Sequence, residues 1–349
     1  MTKEYIPRLI AWEMTKECKL SCEHCRISSI GNDLTRDLTT GEGKKVLKGI
    51  AAYFKPIIIM TGGDPVLRKD FLEIAAFGSS LGLKMVVASC GYGLTLEFAK
   101  KMKDAGILAV SLSIDGENEE AHDAFRNQQG SFKMVIEAAN TLKQAELNFQ
   151  INTTVTKKNA ASLDNILAIA KKLGAKQFHP FMFVPTGKGK NISNHSLSAD
   201  EYEKALTHIH GLAEKETDLQ FKPTCAPQYN RIVLQNTYDK EVSHGKLGSG
   251  CMGGKSFAFI SSYGEVKICG FLNVVAGRLP EHNYNFYDIW QNSELFNRLR
   301  NFDNYNGKCG VCGYRSVCGG CRARAYEENG DYLGEEPFCV FDNTRQAVT

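Results

Sequence analysis

Twelve cysteines among 349 residues are the side chains whose type and spacing first suggest chemistry. Three fall close together in Cys18-Lys-Leu-Ser-Cys22-Glu-His24-Cys25, and four more at Cys309, Cys312, Cys318 and Cys321. Their share of the chain is far below that of a disulfide scaffold. In a reducing compartment such clusters point to metal rather than to cross-links. Structural zinc takes four ligands, and no fourth cysteine is local to the first three. Three thiolates on a four-iron cluster leave one iron open to a small molecule. The bland alternative is a three-cysteine zinc site or a structural loop. Near the C-terminus two C-x2-C pairs are separated by five residues, too few for an ordinary zinc ribbon, where ~15–20 intervene. Zinc remains the alternative there as well. Cys90 fits neither group and reads as a small core residue.

The elements that must position these thiols follow from periodicity. Apolar or β-branched runs at Leu9–Thr15, Ile57–Thr61, Met85–Ser89, Ile107–Ile114, Phe149–Val155 and Gln177–Val184 predict six strands. Between them Thr40–Phe54, Lys69–Leu81, Leu96–Ala105, Phe132–Ala145 and Ser162–Leu173 carry apolar residues at helical spacing. Gly82, Gly106 and Gly174 stand where helix ends favour glycine. Alternating strands and helices imply a parallel sheet. Six units fall short of an eight-unit barrel and fit a partial (β/α)6 barrel. Pro185–Asn194 reads as a loop and Ser198–Lys215 as a polar amphipathic helix. After residue 220 helical periodicity thins, with a hairpin at Phe257–Ser261 and Val266–Cys269. The expected division is residues 1–220, the barrel with a linking helix, and 221–349, a small domain short of apolar surface and stapled by metal.

Composition excludes several classes. Forty-two Lys and Arg against 39 Asp and Glu give a net charge of +3, too balanced to announce a nucleic-acid binder. No apolar run approaches the ~20 residues of a membrane span, and residues 1–10 lack a signal-peptide core. The expected location is the cytoplasm.

The C-x3-C-x2-C spacing just after the first strand, with His24 before the last cysteine, resembles the signature of radical SAM enzymes. That resemblance implies a [4Fe–4S] cluster on Cys18, Cys22 and Cys25 that cleaves S-adenosyl-L-methionine (SAM) to a 5′-deoxyadenosyl radical. It also implies a SAM site. Gly62-Gly63-Asp64-Pro65 stands where the family usually has Gly-Gly-Glu-Pro, whose backbone receives the amino group of SAM. Ser113 and Asp115, ending the fourth strand, would face SAM; Asn152, Val184 and Arg126 are further candidates, the last for the SAM carboxylate. The later cysteines resemble the SPASM (or twitch-type) iron–sulfur extension, with one or two auxiliary [4Fe–4S] clusters. By that pattern Cys309, Cys312, Cys318 and Cys339 ligate one cluster, and Cys251, Cys269 and Cys321 belong to the other. Its fourth ligand is open: Cys225, substrate or water could fill the place.

Ile10-Ala-Trp12-Glu13, Cys25-Arg26, Thr224-Cys225-Ala-Pro227, Cys251-Met-Gly-Gly254 and Cys318-Gly-Gly-Cys-Arg-Ala-Arg-Ala-Tyr326 together resemble the radical SAM heme b synthases of the siroheme-dependent heme pathway. The resemblance spans about residues 8–342 and implies an oxidoreductase of heme biosynthesis. Its reaction would be oxidative decarboxylation of two propionates of iron-coproporphyrin III to vinyls. A flavodoxin- or ferredoxin-like protein would supply electrons. Substrate carboxylates call for arginine, which pairs them bidentately. Arg26 and Arg231 are the candidates, while Arg324 and Glu328, one helical turn apart, are expected to pair structurally. The alternatives are a SPASM-type maturase of a ribosomal peptide, another tetrapyrrole-modifying radical SAM enzyme, and a non-catalytic electron carrier or zinc-stapled protein. Only 17 residues precede Cys18, which speaks against the peptide-recognition domain that many maturases carry.

Overall fold

The computed structural model describes residues 4–27, 36–236 and 250–342. Its first half runs β1 (Leu9–Thr15), α1 (Thr40–Ala51), β2 (Ile57–Gly62), α2 (Phe71–Ser80), β3 (Lys84–Ala88), α3 (Leu96–Asp104) and β4 (Ile107–Ser113). There follow α4 (Glu119–Arg126), α5 (Ser131–Gln144), β5 (Asn148–Val155), α6 (Leu163–Leu173), β6 (Gln177–Met182), α7 (Ala199–Lys215) and β7 (Gln220–Phe221). The six expected strands are all present and pair in parallel in chain order, β1 with β2 through β5 with β6. Ile58, Met60, Met85, Val87, Val110, Leu112 and Ile151 are fully buried beneath the helices, which is the geometry of a helix-covered parallel sheet.

Local signals set the helix ends. Thr39 and Ser198 each close a capping box at the start of α1 and α7. Gly174 ends α6 at φ +88°, a left-handed turn that glycine adopts without strain. The loop expected at 185–194 instead contains a 3-10 stretch over Gly187–His195, broken at Ile192. The eight-residue α4 was not expected. Half of its residues are charged, and only His122 and Phe125 turn inward, so its apolar period is too short to detect.

The second half holds α8 (Tyr229–Asn236), β8 (Phe257–Ile260), β9 (Glu265–Lys267), β10 (Val275–Arg278), α9 (Phe286–Asn292), α10 (Glu294–Arg300), α11 (Gly307–Val311) and α12 (Arg322–Asn329). The expected hairpin forms, with β8 antiparallel to β9. It does not stand apart: β8 lies parallel to β1, Leu9 opposite Phe257 through Trp12 opposite Ile260. One ten-stranded sheet therefore runs β10-β9-β8-β1-β2-β3-β4-β5-β6-β7. The expected shortage of apolar surface is corrected too. Leu279, Phe286, Trp290, Phe296 and Leu299 are fully buried and continuous with the barrel core.

Candidate active site

The cysteine loop leaves the C-terminal end of β1, where parallel β–α folds expose their sites. Two glycines allow the end of β2 to approach it. A Cβ on Gly62, at φ +140°, would meet the Thr15 carbonyl at 2.2 Å, and one on Gly63 would meet the Glu17 carbonyl at 2.0 Å. The Gly63 and Asp64 N–H groups donate to those carbonyls, at 2.8 and 2.7 Å. Asp64 is fully buried and accepts from Ser89 Oγ (2.9 Å), the Cys90 N–H (3.0 Å) and Cys90 Sγ (2.9 Å). It also caps the short Pro65–Leu67 turn. Its carboxylate thus ties the end of β2 to the end of β3, which explains why an acid stands there.

Cys90 is corrected from a core filler to a neighbour of the site. The neighbouring Cys90 side chain is the largest influence on Cys18 and brings that thiol down to about 7 against the penalty of burial. Burial raises Cys22, while Arg126 favours its thiolate, with NH1 3.8 Å from the sulfur.

Asp115 and Arg126, expected to face SAM, are engaged with each other. Arg126 Nε donates to Asp115 Oδ2 at 2.6 Å and NH2 closes the pair. Asp115 also accepts the Thr154 N–H at 2.6 Å, and its own N–H donates to His122 Nδ1 at 3.1 Å. Asp115 is buried and is held low by the Arg126 charge against the penalty of burial. The pair anchors α4 beneath the cysteine loop, where His24 packs on Phe125 at 4.6 Å. Ser113 and Asn152 are half-buried at the ends of β4 and β5, and Val184 is buried beyond β6. Lys188 N–H donates to the Cys25 carbonyl at 3.0 Å, so the segment after β6 closes over the loop.

Arg26 donates from NH1 to Glu13 at 2.7 Å and lies 4.8 Å over the Phe259 ring. Glu13, buried on β1, is a site residue that sequence reasoning quoted but did not assign. An acid inside a core strand was its signal. Arg231, expected as a second substrate contact, is corrected. The NH1 and NH2 end of its guanidinium is filled by Glu203, at 2.8 and 2.5 Å, and the buried side chain lines the cavity of the C-terminal thiols.

The C-terminal thiols fall into two neighbourhoods. Cys309, Cys312, Cys318 and Cys339 line one cavity of about 190 Å³, together with Gln228 and Arg231. Elsewhere Cys225, just past the barrel edge, adopts φ +54°, uncommon for a side-chain-bearing residue. Burial pushes Cys225 well above the ordinary thiol range, and Cys321, Cys269 and Cys251 add to the push. Burial raises Cys269 and Cys318 to about 12. All twelve cysteines are free thiols. Among the described residues no group of three or more His, Cys, Asp or Glu closes on a single metal ion.

Comparison with known proteins decides the family. The chain is 43% identical over 342 residues to the AdoMet-dependent heme synthase of Methanosarcina barkeri, covering 96% of this chain and 97% of that one. It is 40% identical to that of Nitratidesulfovibrio vulgaris, covering 97% and 93%. The chain belongs to the AdoMet-dependent heme synthase family. Within the chain, residues 12–169 match the Radical SAM superfamily and residues 251–313 the SPASM iron–sulfur cluster-binding domain. SuiB of Streptococcus suis, solved with S-adenosylmethionine, shares the fold, with a TM-score of 0.75 at 15% identity over 97% of this chain and 78% of that one.

As a radical SAM enzyme this protein uses SAM, a [4Fe–4S] cluster and auxiliary iron–sulfur clusters. The residues present fit them. Each neighbourhood is rich in thiols, and buried thiols that resist ionising alone become good ligands when cationic iron offsets their charge. Gln228 Nε2, Arg231 Nε and Arg324 NH1 are buried donors with no protein acceptor, and cluster sulfurs are acceptors of that kind. Among the described residues no helix is long and apolar enough to cross a membrane.

Proposed function

We propose that this enzyme oxidatively decarboxylates two propionates of iron-coproporphyrin III to vinyls, giving heme b. The observation that carries the reading is the 43% identity, end to end, to a heme synthase. A 25% identical relative from the same archaeon is named Fe-coproporphyrin III synthase. Peptide modification is the second reading, because the mycofactocin maturase of Mycolicibacterium smegmatis is 28% identical.

Cys18, Cys22 and Cys25 would hold the radical cluster, and the Gly62–Pro65 backbone, with Ser113, Asn152 and Val184 around it, would receive SAM. When bound, cluster and SAM together supply the hydrogen-atom abstraction that no side chain can perform. The chain's own part is positioning. Glu13 holds one arm of Arg26, Phe259 supports its plane, and the remaining guanidinium edge can take a propionate carboxylate. Each propionate loses one hydrogen atom, one electron and carbon dioxide. The C-terminal thiol groups would hold the centres that accept such electrons. Their proposed ligands are Cys309, Cys312, Cys318 and Cys339, and Cys225, Cys251, Cys269 and Cys321. A flavodoxin- or ferredoxin-like protein is the proposed electron donor.

The test is anaerobic incubation with SAM, reductant and iron-coproporphyrin III, followed by mass spectrometry. Products lighter by one and then two units of carbon dioxide plus two hydrogens are expected. An enzyme that ignores the porphyrin yet modifies a peptide overturns the reading.

A further inference from the structure

The Cys321-Arg-Ala-Arg324 run does more than deliver a thiol. Cys321 caps α12, and residues two apart on a helix project about 200° apart. Arg322 and Arg324 therefore leave α12 on opposite sides, and each is only 1% exposed. Arg322 donates from NH2 to Cys309 Sγ at 3.5 Å, in the first thiol group. Arg324 donates to Glu336 from Nε at 2.8 Å and from NH2 at 3.1 Å, and from NH2 to the Tyr202 hydroxyl at 2.8 Å. The expected partner Glu328 is exposed instead.

Glu336 touches both thiol groups. It accepts the Cys321 N–H at 2.5 Å, and its own N–H donates to Cys309 Sγ at 3.4 Å. The Tyr202 hydroxyl lies 3.2 Å from both the Cys225 carbonyl and Gln228 Oε1. A continuous buried path thus runs from Cys225 through Tyr202, Arg324 and Glu336 to Cys321 and Cys309. A buried ion pair is poor stabiliser compared with apolar filler, so its presence between two thiol groups calls for another reason. Arg324 NH1 has no protein acceptor.

We propose that Tyr202, Arg324 and Glu336 are positioning residues that join the two C-terminal thiol groups and set the reduction potential of the centre at Cys225, Cys251, Cys269 and Cys321. The inference rests on the ligand assignment proposed above. Hydrogen bonds and net charge beside a cluster set its potential. A guanidinium favours the reduced, more anionic state, and Glu336 offsets that cation. Glu336→Gln keeps the size and an acceptor for the Cys321 N–H but removes the negative charge. The reduced form should then gain. Arg324→Gln should act in the opposite direction.

The experiment is an EPR-monitored redox titration of anaerobically prepared holoenzyme, with iron and sulfide counted per chain. In Glu336→Gln the reduced-to-oxidised ratio of one auxiliary centre should rise about tenfold at fixed potential, an upward shift of ~59 mV for one electron. The midpoint of the radical-site cluster should stay put. Tyr202→Phe, which loses only a hydroxyl, should move the same auxiliary centre by less and keep its iron. Unchanged midpoints in both variants at full iron content overturn the inference. If Glu336→Gln loses iron, an unmoved midpoint in Tyr202→Phe overturns it, and so does iron loss from both variants, which would make the network a folding element. Wild-type protein with zinc, or with iron for the radical site only, would strike the ligand assignment instead.

Discussion

Arg26, proposed above as a substrate contact, shows how one side chain can be prepared for a carboxylate. Its NH1 is committed to Glu13, and its plane rests on Phe259, so little rotamer freedom remains to be lost on binding. A charge-assisted contact to a carboxylate contributes roughly 1.5–3 kcal/mol. Arg26→Ala should weaken iron-coproporphyrin III binding about ten- to a hundredfold while SAM still binds. Arg26→Lys keeps the charge but not the planar fork, and should recover only part. Equilibrium titration with the porphyrin reads both, and wild-type affinity in Arg26→Ala removes the residue from the site. The thiols make a sharper case. Cys18→Ala, Cys22→Ala or Cys25→Ala each removes one of three proposed ligands, so 5′-deoxyadenosine formation should vanish. Near-normal yield from any of the three would refute the assignment. The role proposed for Arg26 rests on its residue type and its place beside Cys25. The occupation of Arg231 was not legible in the sequence, because Glu203 lies 28 residues away and only the packing of α8 on α7 brings them together.

At the scale of elements, strand–turn junctions do the positioning. The Gly62–Gly63 pair lets two backbone segments meet at distances no Cβ permits, and this contact fixes the loop that carries Cys18. Gly63→Ala should push the Glu17 carbonyl away and displace the thiol. A displacement near 1 Å can cost on the order of a hundredfold in rate. SAM cleavage should fall accordingly, whereas Gly41→Ala, with nothing within 4 Å of the added Cβ, should behave as wild type. The six parallel strands and the helices between them were readable because each carries a full apolar period. The short α4 and the helices α8 to α12 were not. They are five to eight residues long, and their burial comes from distant contacts rather than from a local stripe. Cys90 escaped for a related reason: its partner Asp64 is 26 residues away, and a lone cysteine carries no spacing signal.

Across the whole molecule the decisive feature is the pairing of β8 with β1. It makes the cysteine-rich half an extension of the barrel sheet, and β8 runs directly beside the strand that launches the Cys18 loop. Trp290 locks the far side of this joint. Its ring packs against Phe286 at 5.9 Å and Phe296 at 5.3 Å, with the Arg300 guanidinium 4.9 Å above. Its indole N–H donates to the Tyr5 carbonyl at 2.8 Å, just ahead of β1. Trp290→Ala would leave a cavity and an unsatisfied carbonyl, and should cost about 3–5 kcal/mol. Trp290→Phe keeps most of the apolar contact and should cost less. Because both halves share one core, denaturant should unfold them together. Tryptophan fluorescence from Trp12 in the barrel, followed in the Trp290→Ala protein, should report the same lowered midpoint as far-UV circular dichroism. A barrel signal that melts separately at the wild-type midpoint would mean that the shared sheet does not couple the halves.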